Sequence, residues 1–173
     1  AAYPKFVGGL SFSGDWKGID LSFLFQAGLG RDVALTGVYS GGIMDNTQMT
    51  KPFYHGGNSP KYLVENSWRE DNTNAEFPRL SIVQASSNNA YSSTFWYRSG
   101  DYLRLKNLQI GYTFPQKWMS RIGIDRLRIY FEGQNLWTVS ELTKFNIDPE
   151  QPGVSNGYYP QQRIFSFGVN LAF

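Results

Sequence analysis

The chain has 173 residues, of which 41% are hydrophobic and 17% aromatic, a composition that does not indicate intrinsic disorder. The net charge is +2 with no basic stripe, so no nucleic-acid partner is expected. The absence of cysteine excludes disulfides, thiol catalysis and thiolate metal sites. There is no run of 18 apolar residues, so the sequence predicts no transmembrane helix. The 18 glycines and the shortage of helix-period segments predict an all-β chain.

The first two predicted strands form a hairpin over residues 6–16 and 19–29. The first strand places Phe6, Gly8, Leu10 and Phe12 on one face, with Val7 and small residues on the other. In the second strand apolar side chains fall on every second residue, and only Leu24 breaks this pattern. The turn between them contains Gly18, which can adopt the positive φ that tight hairpins require. The hairpin therefore has one apolar face and one face of small and polar side chains.

The third predicted strand runs from about Asp101 to Phe114 and changes phase in its middle. Leu103 and Leu105 lie at odd positions, whereas Leu108 and Ile110 lie at even ones. A β-bulge near residues 106–107 would explain the change. A strand that rises beyond a membrane and buries its other face against loops would also explain it.

The fourth predicted strand, from about Asp125 to Val139, follows a short connection expected to form one helical turn that ends at Gly123. Its apolar residues alternate with a charged or amide set: Arg126, Arg128, Glu132 and Gln134. Burial of this second face in a soluble core would be costly, whereas a water-filled lumen would hydrate it. The fifth strand ends at Phe173 with apolar residues at odd positions.

The connections alternate between short turns and long stretches of about 70 and 22 residues. A loop of 70 residues is abnormal in a compact soluble domain, but long external loops are typical of outer-membrane barrels. The short turns are then periplasmic, the long loops extracellular and the C-terminus periplasmic. Five strands cannot close a barrel, which needs about eight. We therefore expect further strands from outside this chain.

Several motifs resemble the C-terminal barrel segment of SusC/RagA-type TonB-dependent outer-membrane transporters. They are YLRLKN (102–107), GYT (111–113), LRIY (127–130), GQNL (133–136), DPE (148–150) and the closing YPQQRIFSFGVNLAF (159–173). NSWREDNTNAEFPRLS (66–81) is similar to a long extracellular loop of the same family.

The resemblance implies an antiparallel transmembrane β-barrel of about 22 strands with a plug, of which residues 1–173 are the C-terminal part of the single barrel domain. It implies import of oligosaccharides or peptides in the bacterial outer membrane, energised by TonB through the N-terminal part. It also implies a SusD-like lipoprotein partner, with a dimer of such pairs as a further expectation. No cofactor is expected.

Two sets of site residues follow from the resemblance. The ending resembles the signal read by the barrel-assembly machinery, in which Ser166, Gly168, Leu171 and Phe173 match. The polar residues of the fourth strand (Arg126, Arg128, Glu132 and Gln134) are expected to contact the plug or to influence substrate passage.

Aromatic residues in the long connections form a third candidate set, since rings with polar tips can stack on a ligand or pack against a partner. They are Tyr91, Phe95, Trp96, Tyr97, Tyr158 and Tyr159. Contact with substrate, contact with the lipoprotein and simple loop packing are the three interpretations.

Catalysis has little support in the sequence. His55 is the one histidine and lies in a glycine-rich stretch, and no nucleophile elbow is present. DNTNAE (71–76) and NIDPE (146–150) lack EF-hand spacing, so we expect solvated carboxylates or turn caps and no metal site. We therefore expect no enzyme. The alternatives are a soluble carbohydrate-binding β-sandwich and, less favoured, an outer-membrane barrel enzyme.

Overall fold

The computed structural model describes residues 3–35, 60–80, 93–152 and 161–173. The chain divides into two compact units. The sheet unit comprises Pro4–Leu29, Asp101–Ser140 and Pro160–Phe173. The loop unit comprises Ala1–Tyr3, Gly30–Gly100 and Glu141–Tyr159.

The sheet unit is one antiparallel sheet of five strands in the order β1-β2-β5-β6-β7. Its strands are β1 (Phe6–Trp16), β2 (Ile19–Leu29), β5 (Tyr102–Thr113), β6 (Arg126–Ser140) and β7 (Ile164–Ala172). The five predicted strands are confirmed, and the bounds of the first two agree at both ends. Sequential strands of the sheet are neighbours, as in an up-and-down barrel wall.

The hairpin turn between β1 and β2 consists of Lys17 and Gly18. Both residues have positive φ, 49° at Lys17 and 87° at Gly18. This is the conformation that two-residue hairpins favour, because its twist matches that of the flanking strands. A Cβ at Gly18 would also lie 2.6 Å from the Thr113 carbonyl oxygen. Both the positive φ and this close approach therefore favour glycine at position 18.

A β-bulge explains the phase change in the third predicted strand. Leu105 pairs with Trp137 and Asn107 pairs with Gln134, so Lys106 alone faces Asn135 and Leu136. The register between β2 and β5 shifts at the same level. The bulge interpretation is confirmed, and Asn135 adopts φ 53° within it.

The bulge keeps one continuous apolar face across the whole sheet. Its cross-strand rows are Leu10, Phe25, Leu105 and Trp137; Phe12, Phe23, Leu108 and Phe165; Leu21, Ile110, Phe131 and Phe167; and Trp16, Ile19, Tyr112, Ile129 and Val169. Many of these side chains are exposed, up to 82% at Phe167. We call this the apolar face and the opposite one the polar face.

The connection from β5 to β6 forms the short helix α2 (Gln116–Met119) and a 3₁₀ turn (Ser120–Ile122). Gly123 ends it with φ 74°, which confirms the predicted stop. Among the described residues, no helix has the length and hydropathy needed to cross a membrane.

The loop unit has its own small core. It contains the paired strands β3 (Asp32–Ala34) and β4 (Tyr97–Ser99), the helix α1 (Lys61–Glu65) and 3₁₀ turns over Thr94–Trp96 and Glu141–Phe145. The buried side chains are Val33, Leu35, Leu63, Phe77, Trp96, Leu142, Phe145 and Ile147. These long connections are therefore packed structures in their own right.

Candidate functional site

An ion pair lies on the polar face and bridges two strands that are not neighbours. Arg128 on β6 donates from Nε (2.9 Å) and Nη2 (2.5 Å) to the two carboxylate oxygens of Asp20 on β2. The pair crosses β5 above Gly111, where an added Cβ would lie 2.6 Å from Arg128 Nη2. Glycine at this position therefore leaves room for a bidentate charge pair.

Tyr130 adds an aromatic ring to this pair. The Arg128 guanidinium carbon lies 4.8 Å from the Tyr130 ring centroid, within the range of a cation–π contact. The ring covers Gly168 on β7, where any Cβ would overlap it. Gly111 and Gly168 thus leave room for the side chains of Asp20, Arg128 and Tyr130.

All four residues predicted to line a lumen share the polar face. Arg126 is paired in register with Ala172, and Glu132 with Gln109 and Ser166. Gln134 Nε2 donates to Glu132 Oε1 at 3.1 Å. The polar face of these strands therefore carries hydrogen-bonding side chains with both positive and negative charges.

The polar face continues beyond the bulge with a second set of hydrogen bonds. Arg104 is 3% exposed and donates from Nε to Thr138 Oγ1 at 2.9 Å. Gln26 Nε2 donates to the Tyr102 hydroxyl at 3.1 Å. These bonds join β2 to β5 and β5 to β6 on the side of the sheet opposite the apolar rows.

The residues of the predicted assembly signal are spread over both faces of β7. Ser166 and Gly168 lie on the polar face, opposite Glu132 and Tyr130. Leu171 lies opposite Leu127, and Phe173 follows the strand with 85% of its surface exposed. Three of these residues therefore lie on one edge strand of the described sheet, and Phe173 comes directly after it.

The loop unit contains an ionic cluster centred on Glu76. Its carboxylate accepts from Tyr62 Oη at 2.7 Å, from Arg98 at 3.1 and 3.2 Å, and from Lys144 at 3.1 and 3.3 Å. Glu141 lies 3.8 Å from both Arg98 and Lys144. One carboxylate therefore connects three stretches of chain that are distant in sequence.

The cluster shifts the titration of its members. Burial raises the pKa of the Glu76 carboxyl, but hydrogen bonds from Tyr62 and Lys144 outweigh it and hold that pKa below its usual value. Burial, together with the hydrogen bond to Glu76, raises the pKa of the Tyr62 hydroxyl. Burial lowers the pKa of Lys144, but the bond to Glu76 and its charge bring the net shift upward. Each shift favours the hydrogen-bonded, ion-paired form of the cluster.

The predicted loop aromatics occupy different environments. Trp96 is 2% exposed and packs in the core of the loop unit, which favours the packing role among the three interpretations. Phe95 and Tyr97 are each 46% exposed. Tyr91, Tyr158 and Tyr159 lie outside the described residues, as does His55.

Sequence reasoning misses the ionic cluster. The pattern around Glu76 predicts a solvated loop carboxylate, whereas its partners lie 14, 22 and 68 positions away in the chain. Such spacing carries no local signal. In NIDPE, by contrast, Asp148 Oδ1 accepts from the Glu150 backbone N–H at 2.8 Å, which is a turn cap.

Within the described ranges, no group of three or more His, Asp or Glu side chains could hold a metal ion. The charged groups brought together there are ion pairs whose carboxylates already accept hydrogen bonds from cationic partners.

Curated relatives match the chain over most of its length. The TonB-dependent receptor P3 of Formosa agariphila is 28% identical over 183 residues, which cover 98% of this chain and 16% of the receptor. The TonB-dependent receptor SusC of Bacteroides thetaiotaomicron is 30% identical over 105 residues, or 59% of this chain and 10% of that receptor. The chain is related to the TonB-dependent receptors. No protein-family model matches it.

Solved structures of a peptide importer match the fold. The RagAB peptide importer in its open-open state covers 100% of this chain at a TM-score of 0.65 and 28% identity. Its closed-closed state gives a TM-score of 0.67 at 27% identity. The resemblance to SusC/RagA-type transporters and the antiparallel barrel fold are thus confirmed. The chain spans 18% of the solved transporter chains and 16% of the P3 receptor.

The comparisons also bear on the alternative functions. P3 and SusC are named as receptors and RagAB as an importer, and none of these three names describes an enzyme. A soluble β-sandwich would bury its apolar face against a second sheet. Phe165, Phe167 and Val169 are instead 61%, 82% and 65% exposed. This exposure does not fit the sandwich.

Proposed function

We propose that the chain forms part of the barrel wall of an outer-membrane active transporter that imports oligosaccharides or peptides. Import is energised through TonB, and the transporter itself catalyses no reaction. The observation that carries the proposal is a sheet with one continuous apolar face and one ion-paired polar face, in a chain related to TonB-dependent receptors.

The two faces have separate roles in this proposal. The apolar face contacts the acyl chains of the bilayer, since a barrel wall alternates lipid-facing and lumen-facing residues. The polar face lines the interior, where Arg126, Arg128, Glu132 and Gln134 contact the plug or the passing substrate. Residues 1–173 belong to one barrel domain, and the plug and the other strands lie in the remainder of the transporter.

The loop unit lies on the extracellular side in this proposal. There it meets a SusD-like lipoprotein, and the half-exposed rings of Phe95 and Tyr97 supply contact area for the lipoprotein or the substrate. RagAB, the peptide importer with a similar fold, supports import as the activity. Pairs of transporter and lipoprotein would associate into a dimer.

The turns Lys17–Gly18 and Pro115–Asp125 and the end of β7 lie on the periplasmic side. Ser166, Gly168, Leu171 and Phe173 form the signal for barrel assembly. Removal of Phe173 should then lower the amount of folded protein in the outer membrane.

The test uses the intact transporter in its bacterial host. A strain that lacks the transporter is grown on single oligosaccharides or peptides as sole nutrient, with and without the restored gene. We expect one nutrient class to require both the transporter and TonB. The proposal would be contradicted if growth on every tested nutrient were independent of both the transporter and TonB. It would also be contradicted if the protein stayed monodisperse without detergent.

A further inference from the structure

The apolar face carries a groove at the end of the sheet nearest the Lys17–Gly18 turn. Its volume is about 610 Å³, within the range of about 300–1,000 Å³ that ligand pockets occupy. It is lined by Ile19, Ile110, Gly111, Tyr112, Ile129, Tyr130, Phe131, Phe167, Gly168 and Val169. These residues belong mainly to the two cross-strand rows closest to the turn.

The lining suits a hydrocarbon chain. Ile110 and Ile129 are each 44% exposed, and the rings of Phe131 and Phe167 lie 5.2 Å apart beside them. None of the described lining residues is charged. A polar solute would lose hydration here without gaining an ionic partner. A flexible apolar chain can follow the groove and bury its surface against it.

A cationic group lies at the turn end of the groove. Ile19, a lining residue, pairs in register with Trp16, and Lys17 Nζ is 4.6 Å from the Trp16 ring centroid. Lys17 makes no ion pair with any described residue. The connection at the same end of the sheet adds exposed Lys117 and Arg121. Basic and aromatic side chains at a membrane interface bind lipid phosphate and headgroups.

We propose that this groove binds one anionic phospholipid, with an acyl chain against Ile110, Ile129 and Val169 and the phosphate on Lys17. The inference rests on the proposed function, because it requires the apolar face to contact a bilayer. The turn end lies on the periplasmic side in that proposal, so the occupant is a phospholipid of the inner leaflet. The concave lining and the cation distinguish this site from the rest of the apolar face.

The test is native mass spectrometry of the intact, delipidated transporter with added phosphatidylglycerol, and with phosphatidylcholine for comparison. We expect the wild type to retain one phosphatidylglycerol in preference to phosphatidylcholine. Ile129→Trp fills the groove and should reduce the adduct several-fold. Lys17→Gln should remove the preference for phosphatidylglycerol. Leu10→Trp is the matched control, because Leu10 is exposed on the same face but does not line the groove.

Two outcomes would overturn the lipid site: no retained phosphatidylglycerol, or equal loss of the adduct in Ile129→Trp and Leu10→Trp. Val169→Phe provides a second groove-filling variant if Ile129→Trp does not assemble. Heat-modifiable migration of each sample is recorded in parallel. A transporter that shows this barrel signature without the adduct contradicts the lipid site alone. A wild-type protein without the signature contradicts the proposed function.

Discussion

At the level of single residues, Gly111 shows how the absence of a side chain allows an ion pair to form between the strands on either side. The Asp20–Arg128 pair spans β5 only because no Cβ stands between its partners. The pair is largely shielded, with 14% of the Arg128 side chain and 31% of the Asp20 side chain exposed. It stabilises the sheet while holding a guanidinium in one position on the polar face.

We predict that Gly111→Ala weakens the folded barrel by about 1–3 kcal/mol, the usual cost of overpacking. The new Cβ would displace the Arg128 guanidinium and break its bidentate contact with Asp20. The measurement is urea unfolding in detergent, followed by heat-modifiable migration. Gly9→Ala is the control, since its Cβ would lie 3.5 Å from the nearest atom, an ordinary contact. Equal stability of the two variants would contradict the role of Gly111.

Glu76→Gln should destabilise the loop unit by about 1–3 kcal/mol, because it leaves Arg98 and Lys144 without their shared carboxylate. Pulse proteolysis of the intact transporter in urea measures the loss through cleavage in residues 60–80. Glu65→Gln is the matched control, since its ion pair with Lys61 is exposed on both sides and contributes little. A loss of the same size in both variants would mean that the Glu76 cluster stabilises the loop unit no more than the exposed Lys61–Glu65 pair does.

The stabilisation from the Glu76 cluster should depend on pH at both extremes. The pKa of Glu76 is lower in the folded chain than its ordinary 4.5, so its contribution is complete above that value and is lost as pH falls through the folded value. The pKa values of Lys144 and Tyr62 are raised, so their contributions are lost as pH rises through the folded values. The difference between wild type and Glu76→Gln should be flat from about pH 6 to 9. A difference that changes near pH 7 would contradict this assignment.

The bulge on β6 determines, at the level of the strand, whether the sheet keeps one apolar face. Asn135 adopts φ 53° there, and its Nδ2 donates to the Gln162 carbonyl at 3.1 Å. A register slip of one residue beyond this point would turn Trp137 and Val139 to the polar face. The bulge therefore keeps both halves of β6 in phase with the neighbouring strands.

Asn135→Val should destabilise the barrel by about 1–3 kcal/mol, because a β-branched residue is strained at positive φ. Asn135→Gly separates backbone from side chain, since it relieves that strain while also losing the bond to Gln162. We expect Asn135→Gly to lie between wild type and Asn135→Val in urea unfolding. If Asn135→Gly is the less stable of the two, the strain argument is wrong, because both variants lose the bond to Gln162 equally.

The alternation of the whole sheet predicts, at the scale of the molecule, which substitutions a bilayer tolerates. Phe23 and Ser22 are adjacent on the central part of β2 and lie on opposite faces. In the proposed transporter, Phe23→Arg places a charge in the hydrocarbon, at a cost of about 2–4 kcal/mol. Ser22→Arg places the same charge in the interior and should assemble. The yield of heat-modifiable protein in outer membranes measures both, and equal yields would contradict the assignment of the faces.

The strands, the hairpin turn, the Gly123 stop and the alternation of the two faces could all be predicted from the amino-acid sequence. Those features depend on contacts between near neighbours and on a period of two, which a linear sequence records. The resemblance to the transporter family was also present in the sequence. Only the tertiary structure shows that Trp96 is buried and that Glu76 bonds to Tyr62, Arg98 and Lys144. It also shows that Arg128 reaches Asp20 across β5. These contacts join residues up to 108 positions apart, so no local pattern encodes them. They form because folding brings distant charged groups together, and a partly buried charge without a partner would cost free energy.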